Sequence, residues 1–208
     1  MAMETNLHLL AKRALRCDYD AAFTLIDLLW RYRDVRGLGY IAYCYVYQIA
    51  MNCLIDLASL CRQCGGLCCR SGPYIPIYQF DVEELQRVDP DVRSKLVVIG
   101  NELYLPRPCP YQRDWMCTVH KVKPYACLSY PFATEDEQIE YIRRYSSIGN
   151  SYPDIYAPNH CLAAMKVKEI VDGVARELEK RLGRIPTPRE LLETLLRTYG
   201  DSLQVVER

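Results

Sequence analysis

The chain has 208 residues and half of them are apolar, which is enough for the core of one domain with or without an extension. Basic and acidic residues number 26 each, and this zero net charge argues against a general electrostatic surface for nucleic acid or anionic membrane. We therefore expect no nucleic-acid partner. The uneven feature is cysteine: seven of the eleven lie between residues 61 and 127.

The first residues predict a cytoplasmic protein. Residues 1–17 are amphipathic and lack the basic region, apolar run and cleavage site of a secretory signal. In the cytoplasm, clustered cysteines bind metals or act in catalysis more often than they form disulfides. Hyperthermophile cytosols are an exception, and 17 tyrosines are a weak hint of such a source.

Residues 5–60 predict helices. An apolar stripe from Leu7 to Leu15 has helical spacing, and a second stripe follows the candidate N-caps Asp18 and Asp20.

The uncharged run 37–55 has two interpretations. Its length suits a membrane span, but it contains four tyrosines together with Gln48 and Asn52, whose amides are costly in lipid without partners. We favour a helix buried in protein, against a partner or inside the subunit, and expect no membrane association.

The middle of the chain predicts a small amount of β-structure. Residues 75–80 read as extended, and residues 80–88 as a short helix with Asp81 as its N-cap. Residues 95–106 predict a hairpin that turns at Gly100. Residues 107–132 are punctuated by proline and predict irregular structure.

The tail predicts helices again. Polar residues 134–147 suit a strand or a short helix, whereas residues 163–182 have clear helical periodicity. A last helix has Thr187 as N-cap, Pro188 at its first position and Glu190 closing a capping box.

These elements predict a mainly helical α+β protein. An irregular cysteine-rich core with a small hairpin would be wrapped by the N- and C-terminal helices. The predicted divisions are an N-terminal helical extension (1–60), a cysteine-cluster metal-binding core (61–161) and C-terminal helices packed on that core (162–208).

The spacing of the first four clustered cysteines favours a metal site. Cys61 and Cys64 form a C-x2-C pair that places two sulfurs on one tight loop, within reach of one metal. The glycine pair that follows lets the backbone turn back toward that metal. Cys68 and Cys69 are adjacent, and in extended backbone their side chains point to opposite sides, so they need not serve one metal.

Further candidates follow along the chain. Structural zinc takes four nitrogen or sulfur ligands and a [4Fe–4S] cluster usually takes four cysteines, so eight cysteines suffice for one site with spare thiols or for two sites. His120 and His160 rank below the cysteines as ligands. The predicted metal ligands are Cys61, Cys64, Cys68, Cys69, Cys109, Cys117, Cys127 and Cys161.

The sequence also predicts roles for the remaining cysteines and for the cations near the clustered cysteines. Cys17, Cys44 and Cys53 lie on apolar helical faces and are expected to be free, buried thiols. Six cations near the clustered cysteines could offset the negative charge of a thiolate metal site: Arg62, Arg70, Arg107, Arg113, Lys121 and Lys123.

The cysteine pattern resembles that of a known group. C-x2-C-x3-C-C is followed by Cys-Pro-aromatic at 109–111, by Cys117-Thr-Val-His, by Lys123-Pro and by Cys127-Leu-Ser-Tyr-Pro-Phe. This order is similar to that of the YkgJ-type cysteine-cluster proteins, a zinc- or iron-chelating domain. The departures are Lys123 for arginine, Val119-His120 for Ile-Tyr, and Leu128 for arginine, which removes a cation beside the cluster.

The resemblance implies metal binding, with zinc or an iron–sulfur cluster as cofactor. Our first hypothesis is a metal-binding protein whose site is structural or transfers electrons. A distant resemblance to a flagellin lysine-N-methylase gives the first alternative, an Fe–S-dependent enzyme that modifies a protein substrate. The second alternative is a zinc-stapled module that binds a protein partner. Whether the chain is an enzyme stays open at this stage.

Overall fold

The apolar periodicities of the sequence become helices, and the hairpin signal becomes a small sheet. A computed structural model describes residues 2–35, 37–148 and 152–200. Its helices are α1 (Ala2–Ala14), α2 (Tyr19–Arg31), α3 (Leu38–Cys53), α4 (Ala58–Cys64), α5 (Leu67–Arg70), α6 (Gln79–Gln86), α7 (Tyr125–Ser129), α8 (Glu135–Ile148), α9 (Leu162–Leu182) and α10 (Pro188–Tyr199). Its strands are β1 (Ile75–Ile77), β2 (Val97–Ile99), β3 (Glu102–Leu105), β4 (Gln112–Arg113) and β5 (Met116–Cys117).

The strands form two small antiparallel sheets. β3 lies between β1 and β2, with Ile75 opposite Leu105 and Val98 opposite Leu103. The β2–β3 hairpin turns at Gly100, whose φ of +61° suits a residue without a side chain. A second sheet pairs β4 with β5. The mainly helical α+β class is therefore confirmed.

The described chain divides into two compact units. The helical unit comprises Met1–Leu57 and Ser129–Arg208, and the cysteine unit comprises Ala58–Leu128. This division places residues 129–161 with the terminal helices, whereas the sequence places them in the cysteine-cluster core. Polar residues 134–147, left open between strand and helix, fall almost entirely within α8.

Helix α3, the uncharged run, is the buried centre of the helical unit. It packs against α2, α9 and α10, and its tyrosines Tyr40, Tyr43 and Tyr47 are fully buried. Protein groups supply their hydrogen-bond partners: the Tyr43 hydroxyl, for example, donates to the Pro186 carbonyl at 2.7 Å.

Gln48 shows why amides inside this run are tolerated. Its amide nitrogen donates to the Tyr130 carbonyl at 3.0 Å, and its amide oxygen accepts from the Phe132 backbone N–H at 2.9 Å. The run thus packs inside its own unit. In the described part of the chain, no single helix is long and apolar enough to cross a membrane; α3 meets that test only together with α4, across a break.

Helix starts agree with the sequence at two positions and differ at one. Asp18 caps α2, accepting from the Ala21 N–H at 3.0 Å, and Thr187 caps α10 with Glu190 closing the box. The predicted N-cap Asp81 is wrong, because α6 begins two residues earlier. Asp81 lies in its first turn and accepts from the Tyr78 N–H at 3.1 Å and from the Tyr125 N–H at 3.0 Å.

The expectation of free thiols is wrong for two cysteines in the helical unit. Cys17 and Cys53 form a disulfide across a sequence separation of 36 residues. The cause is the short connection between α1 and α2, in which Cys17 adopts a positive φ. This connection places the Cα of Cys17 5.4 Å from the Cα of Cys53 at the end of α3. Cys44 is free and buried, as predicted.

Candidate metal centre

The first four cysteines of the cysteine unit lie on two short helices joined by a glycine turn. Gly65 and Gly66 join α4 to α5, and both have positive φ. A Cβ on Gly66 would lie 2.6 Å from the side-chain nitrogen of Gln112 and 3.2 Å from the Trp115 carbonyl, so a larger residue would displace Gln112 and strain the left-handed backbone. That nitrogen donates to the carbonyls of both glycines at 3.2 Å. Gln112 thereby fixes the turn that brings α4 and α5 together.

The remaining cysteines of the unit are brought to this turn by backbone pairing. The N–H of Cys109 donates to the Cys69 carbonyl at 2.8 Å, and the Gln112 N–H donates to the Cys109 carbonyl at 3.1 Å. Cys117 lies opposite Gln112 in the β4–β5 pair. Cys127 lies on α7, which follows directly.

The seven thiols of the cysteine unit are electrostatic neighbours. Cys61 interacts with Cys64 and Cys68. Cys69 interacts with Cys68, Cys109 and Cys127. Cys127 interacts in turn with Cys109, Cys117 and Cys68. The structure therefore gathers into one region all the predicted ligands from 61 to 127.

Burial and thiol–thiol hydrogen bonding set the protonation of these cysteines. The Cys69 thiol donates to Cys68, which lowers the pKa of Cys68 and raises the pKa of Cys69. Burial raises the pKa of Cys61 and of Cys109, and it raises the pKa of Cys127 to about 12. Most of these cysteines thus stay protonated near neutral pH unless a metal displaces the proton.

Two of the six predicted cations face the thiols. After the hydrogen bond from Cys69, Lys123 and Arg107 add to the lowered pKa of Cys68. Lys123 also opposes the rise in pKa that burial causes at Cys61 and Cys127, and Arg107 opposes it at Cys109. Lys123 also contributes, after burial, to a lowered pKa of His120. These positive charges favour thiolates and would offset the charge of a metal centre ligated by them.

Two other cations have different partners. The Arg62 guanidinium lies 5.1 Å from the ring centre of Trp115, a cation–π contact. Arg70 donates to the Cys64 carbonyl at 3.1 Å. The Arg62 contact connects α4 to Trp115 in the β4–β5 turn, whereas the Arg70 contact joins α5 to α4 within the segment.

Burial differs sharply along the cysteine unit. Its apolar core consists of Ile75, Ile77, Val82, Leu85, Val92, Leu105 and Tyr111, and Cys109 and Cys127 pack against this core. By contrast, α4 and α5 contain no buried residue, and Cys68 is exposed. The segment that carries four cysteines therefore has little hydrophobic stabilisation of its own.

The donor chemistry fits a metal, although the sulfurs are not yet at coordinating positions. Among the described residues, no three Cys, His, Asp or Glu side chains are placed to hold an ion. Seven thiols beside two cations nevertheless form a soft, cysteine-only donor set, of the kind that binds zinc and iron–sulfur clusters. The residues present fit such a group, and its binding would draw the sulfurs together.

Cys161, the eighth predicted ligand, lies in the helical unit. It is the N-cap of α9, and its sulfur accepts from the Ala164 N–H at 3.4 Å. His160, beside it, shares a hydrogen bond of 3.0 Å with the Tyr130 hydroxyl. A ligand role for Cys161 stays a prediction.

The geometry defines a thiol-rich metal-binding segment, and comparison with known families agrees. Residues 60–147 match the family model described as "CxxCxxCC: Putative zinc- or iron-chelating domain". This part of the chain is therefore similar to that cysteine-cluster family, as the spacing predicts, and the match supports metal binding. Comparisons with curated proteins and with solved structures each gave no match.

Sequence reasoning missed the residues that shape the site without binding metal. Gln112 holds the glycine turn through its side-chain amide, and Trp115 receives Arg62. The only signal for Gln112 was its place between Cys109 and Cys117. A side chain that acts on backbone carbonyls 46 and 47 residues away leaves no local pattern.

Proposed function

We propose that the seven thiols of the cysteine unit bind zinc or an iron–sulfur cluster, and that this metal centre is structural. The observation that carries the proposal is the contrast within the unit: α4 and α5 hold four cysteines and bury no residue. Hydrophobic burial cannot hold such a segment in place, whereas metal–thiolate bonds can. Metal binding would then be part of the folding free energy of the unit.

The chain's own residues have distinct roles in this proposal. The thiols bind the metal as thiolates, and Lys123 and Arg107 favour their deprotonation and offset the resulting charge. Gln112 and the two glycines preset the turn, so that less conformational entropy is lost when the metal binds. The metal supplies the bonds that join the α4–α5 segment to Cys109, Cys117 and Cys127.

Metal analysis of the full-length chain, purified without oxygen, tests the proposal. Stoichiometric zinc in a colourless protein supports a zinc site, and a brown protein with about four irons per chain supports an Fe–S cluster. The proposal fails if neither metal is present and the cysteines from 61 to 127 are paired as disulfides.

A pair of variants separates a structural site from a functional one. Cys61→Ser should abolish the order of the α4–α5 segment and leave the apolar core of the unit folded, while Cys44→Ala, at the free cysteine of the helical unit, should leave the metal content unchanged. If Cys61→Ser instead keeps its fold and loses only an electron-transfer or lysine-modifying activity, the site is functional rather than structural.

We also propose a cytoplasmic location, because the clustered cysteines from 61 to 127 are free thiols, and clustered cysteines in that compartment bind metals more often than they form disulfides. The Cys17–Cys53 disulfide is compatible with that location in an organism whose cytosol makes disulfides, as hyperthermophiles do. Fractionation of native cells, with this disulfide trapped by alkylation, checks both points together.

A further inference from the structure

The thiols of the cysteine unit fall into two sets that differ in position and packing. The three-thiol set is Cys61, Cys64 and Cys68, and the four-thiol set is Cys69, Cys109, Cys117 and Cys127. We infer that each set binds its own metal ion, and that the three-thiol set leaves one coordination position for an external ligand. This inference rests on the proposed function and specifies the number of sites.

Local geometry holds the three-thiol set together. All three cysteines lie on the α4–α5 segment, and the turn between them is closed by the Gly66 N–H, which donates to the Cys61 carbonyl at 3.3 Å. The Cys64 thiol lies 3.4 Å from that same carbonyl.

Long-range pairing holds the four-thiol set together. The backbone bond between Cys69 and Cys109, and the β4–β5 pair that carries Cys117, bring three of its members to one place. Cys109 and Cys127 also pack on the apolar core, as no member of the three-thiol set does.

The boundary between the sets runs through the adjacent pair Cys68 and Cys69. Their sulfurs share a hydrogen bond, and Cys68 also interacts with Cys127, so the two sites adjoin. Cys68 has further neighbours in the three-thiol set, and Cys69 has further neighbours in the four-thiol set. Cys68 lies on the same short α4–α5 segment as Cys61, and the Cys69 carbonyl accepts from the Cys109 N–H at 2.8 Å.

The number of ligands that a metal ion needs supports the same division of the seven thiols into two sets. A tetrahedral structural site takes four protein ligands, so seven thiols exceed one closed site by three and fall one short of two. Three protein ligands with a fourth open position are the arrangement of reactive zinc sites. Cys68 is the exposed member of the seven, which puts solvent at the three-thiol set. The ligand that suits this position is water or a small external thiol.

Metal counting on the full-length chain tests the division. We would load reduced protein with Zn²⁺ without oxygen and count bound ions by native mass spectrometry, expecting two per chain. The paired variants Cys61→Ser/Cys64→Ser and Cys109→Ser/Cys117→Ser should each retain one ion, and Cys44→Ala should retain two. If the second pair does not fold, the first pair still decides.

Cobalt(II) as a probe tests the open position. Adding 2-mercaptoethanol should change the visible spectrum of Co²⁺ in the wild type and leave Cys61→Ser/Cys64→Ser unchanged. Cys161→Ser should behave as the wild type does, and a different response would mean that Cys161 fills the fourth position.

The outcomes distinguish failure of the two-site inference from failure of the proposed metal binding. One ion in the wild type, a single iron–sulfur cluster without a second metal, or loss of both ions in Cys61→Ser/Cys64→Ser would overturn the two-site inference and leave metal binding intact. No bound metal under any condition would overturn the proposed function itself.

Discussion

The two units of this protein obtain their order from different sources. The helical unit buries a complete helix, α3, whose tyrosines and glutamine find hydrogen-bond partners inside the same unit. The cysteine unit has a small apolar core, and the segment that carries its first four cysteines lies outside that core. Burial holds the helical unit together, and we propose that the cysteine unit depends on metal bound by its sulfurs. Each prediction below tests that difference.

Metal removal should have the largest effect, and the effect should be confined to the cysteine unit. Structural zinc contributes on the order of 10 kcal/mol to folding in small domains. A chelator should therefore abolish amide protection from 58 to 128 in hydrogen exchange while α3 stays protected. Equal loss of protection in both units would show that the two are not stabilised separately.

Reduction of the Cys17–Cys53 disulfide should act on the other unit. For a separation of 36 residues, loop closure predicts a stabilisation of about 4 kcal/mol. Cys17→Ser should lower the free energy of unfolding of the helical unit by roughly that amount, as measured by chemical denaturation. Its metal content should equal that of the wild type, and a loss of metal would contradict the separation of the units.

The sequence predicts what is local and fails where contacts are distant. Helical periodicity identified α2 and α9, the uncharged run identified α3, and capping residues identified α10. C-x2-C-x3-C-C identified the segment that the family model matches. Each of these signals lies within a short stretch of sequence. The pairing of Cys17 with Cys53 depends on how α1 and α2 pack beside α3, and nothing in the spacing shows it. The same holds for Gln112, which acts through carbonyls far away along the chain.

The position of Asp81 shows a subtler limit. An aspartate followed by a glutamate three residues later is a good N-terminal signal, but the aspartate can equally occupy the first turn and reach back. Asp81 does so, because its second oxygen also accepts from the Tyr125 N–H. Tertiary contact, rather than local preference, decides where α6 begins.

Truncation in the core of α3 should have the next largest effect. Ile49 is fully buried, and Ile49→Ala should lower the free energy of unfolding of the helical unit by about 3 kcal/mol through lost burial and a cavity. Denaturation curves check the stability, and metal analysis checks the other unit. Val98 is exposed in the cysteine unit, and Val98→Ala is the matched control. This variant should change the free energy of unfolding and the metal content little.

The smallest expected effect is electrostatic and depends on pH. Glu190 closes the α10 capping box, accepting from the Thr187 N–H at 2.8 Å, and it pairs with Arg184 at 2.6 Å. The Arg184 hydrogen bond, followed by those from Thr187, lowers the pKa of Glu190 to about 2. Its stabilisation is therefore present above the unfolded pKa of about 4.3 and is lost as pH falls toward 2.

Because Glu190 is about one-third exposed, solvent screening reduces its contribution to about 1 kcal/mol. Glu190→Gln should lower the stability of the helical unit by that amount at pH 7 and by much less at pH 2. Denaturation at the two pH values checks this difference. A pH-independent deficit would mean that the side chain acts through its shape and neutral hydrogen bonds rather than its charge.

The thiols should respond in the same range of pH through a different route, since acid protonates the metal ligands and releases the metal. Glu190→Gln should therefore change the pH dependence of stability in the helical unit and leave that of the cysteine unit unchanged.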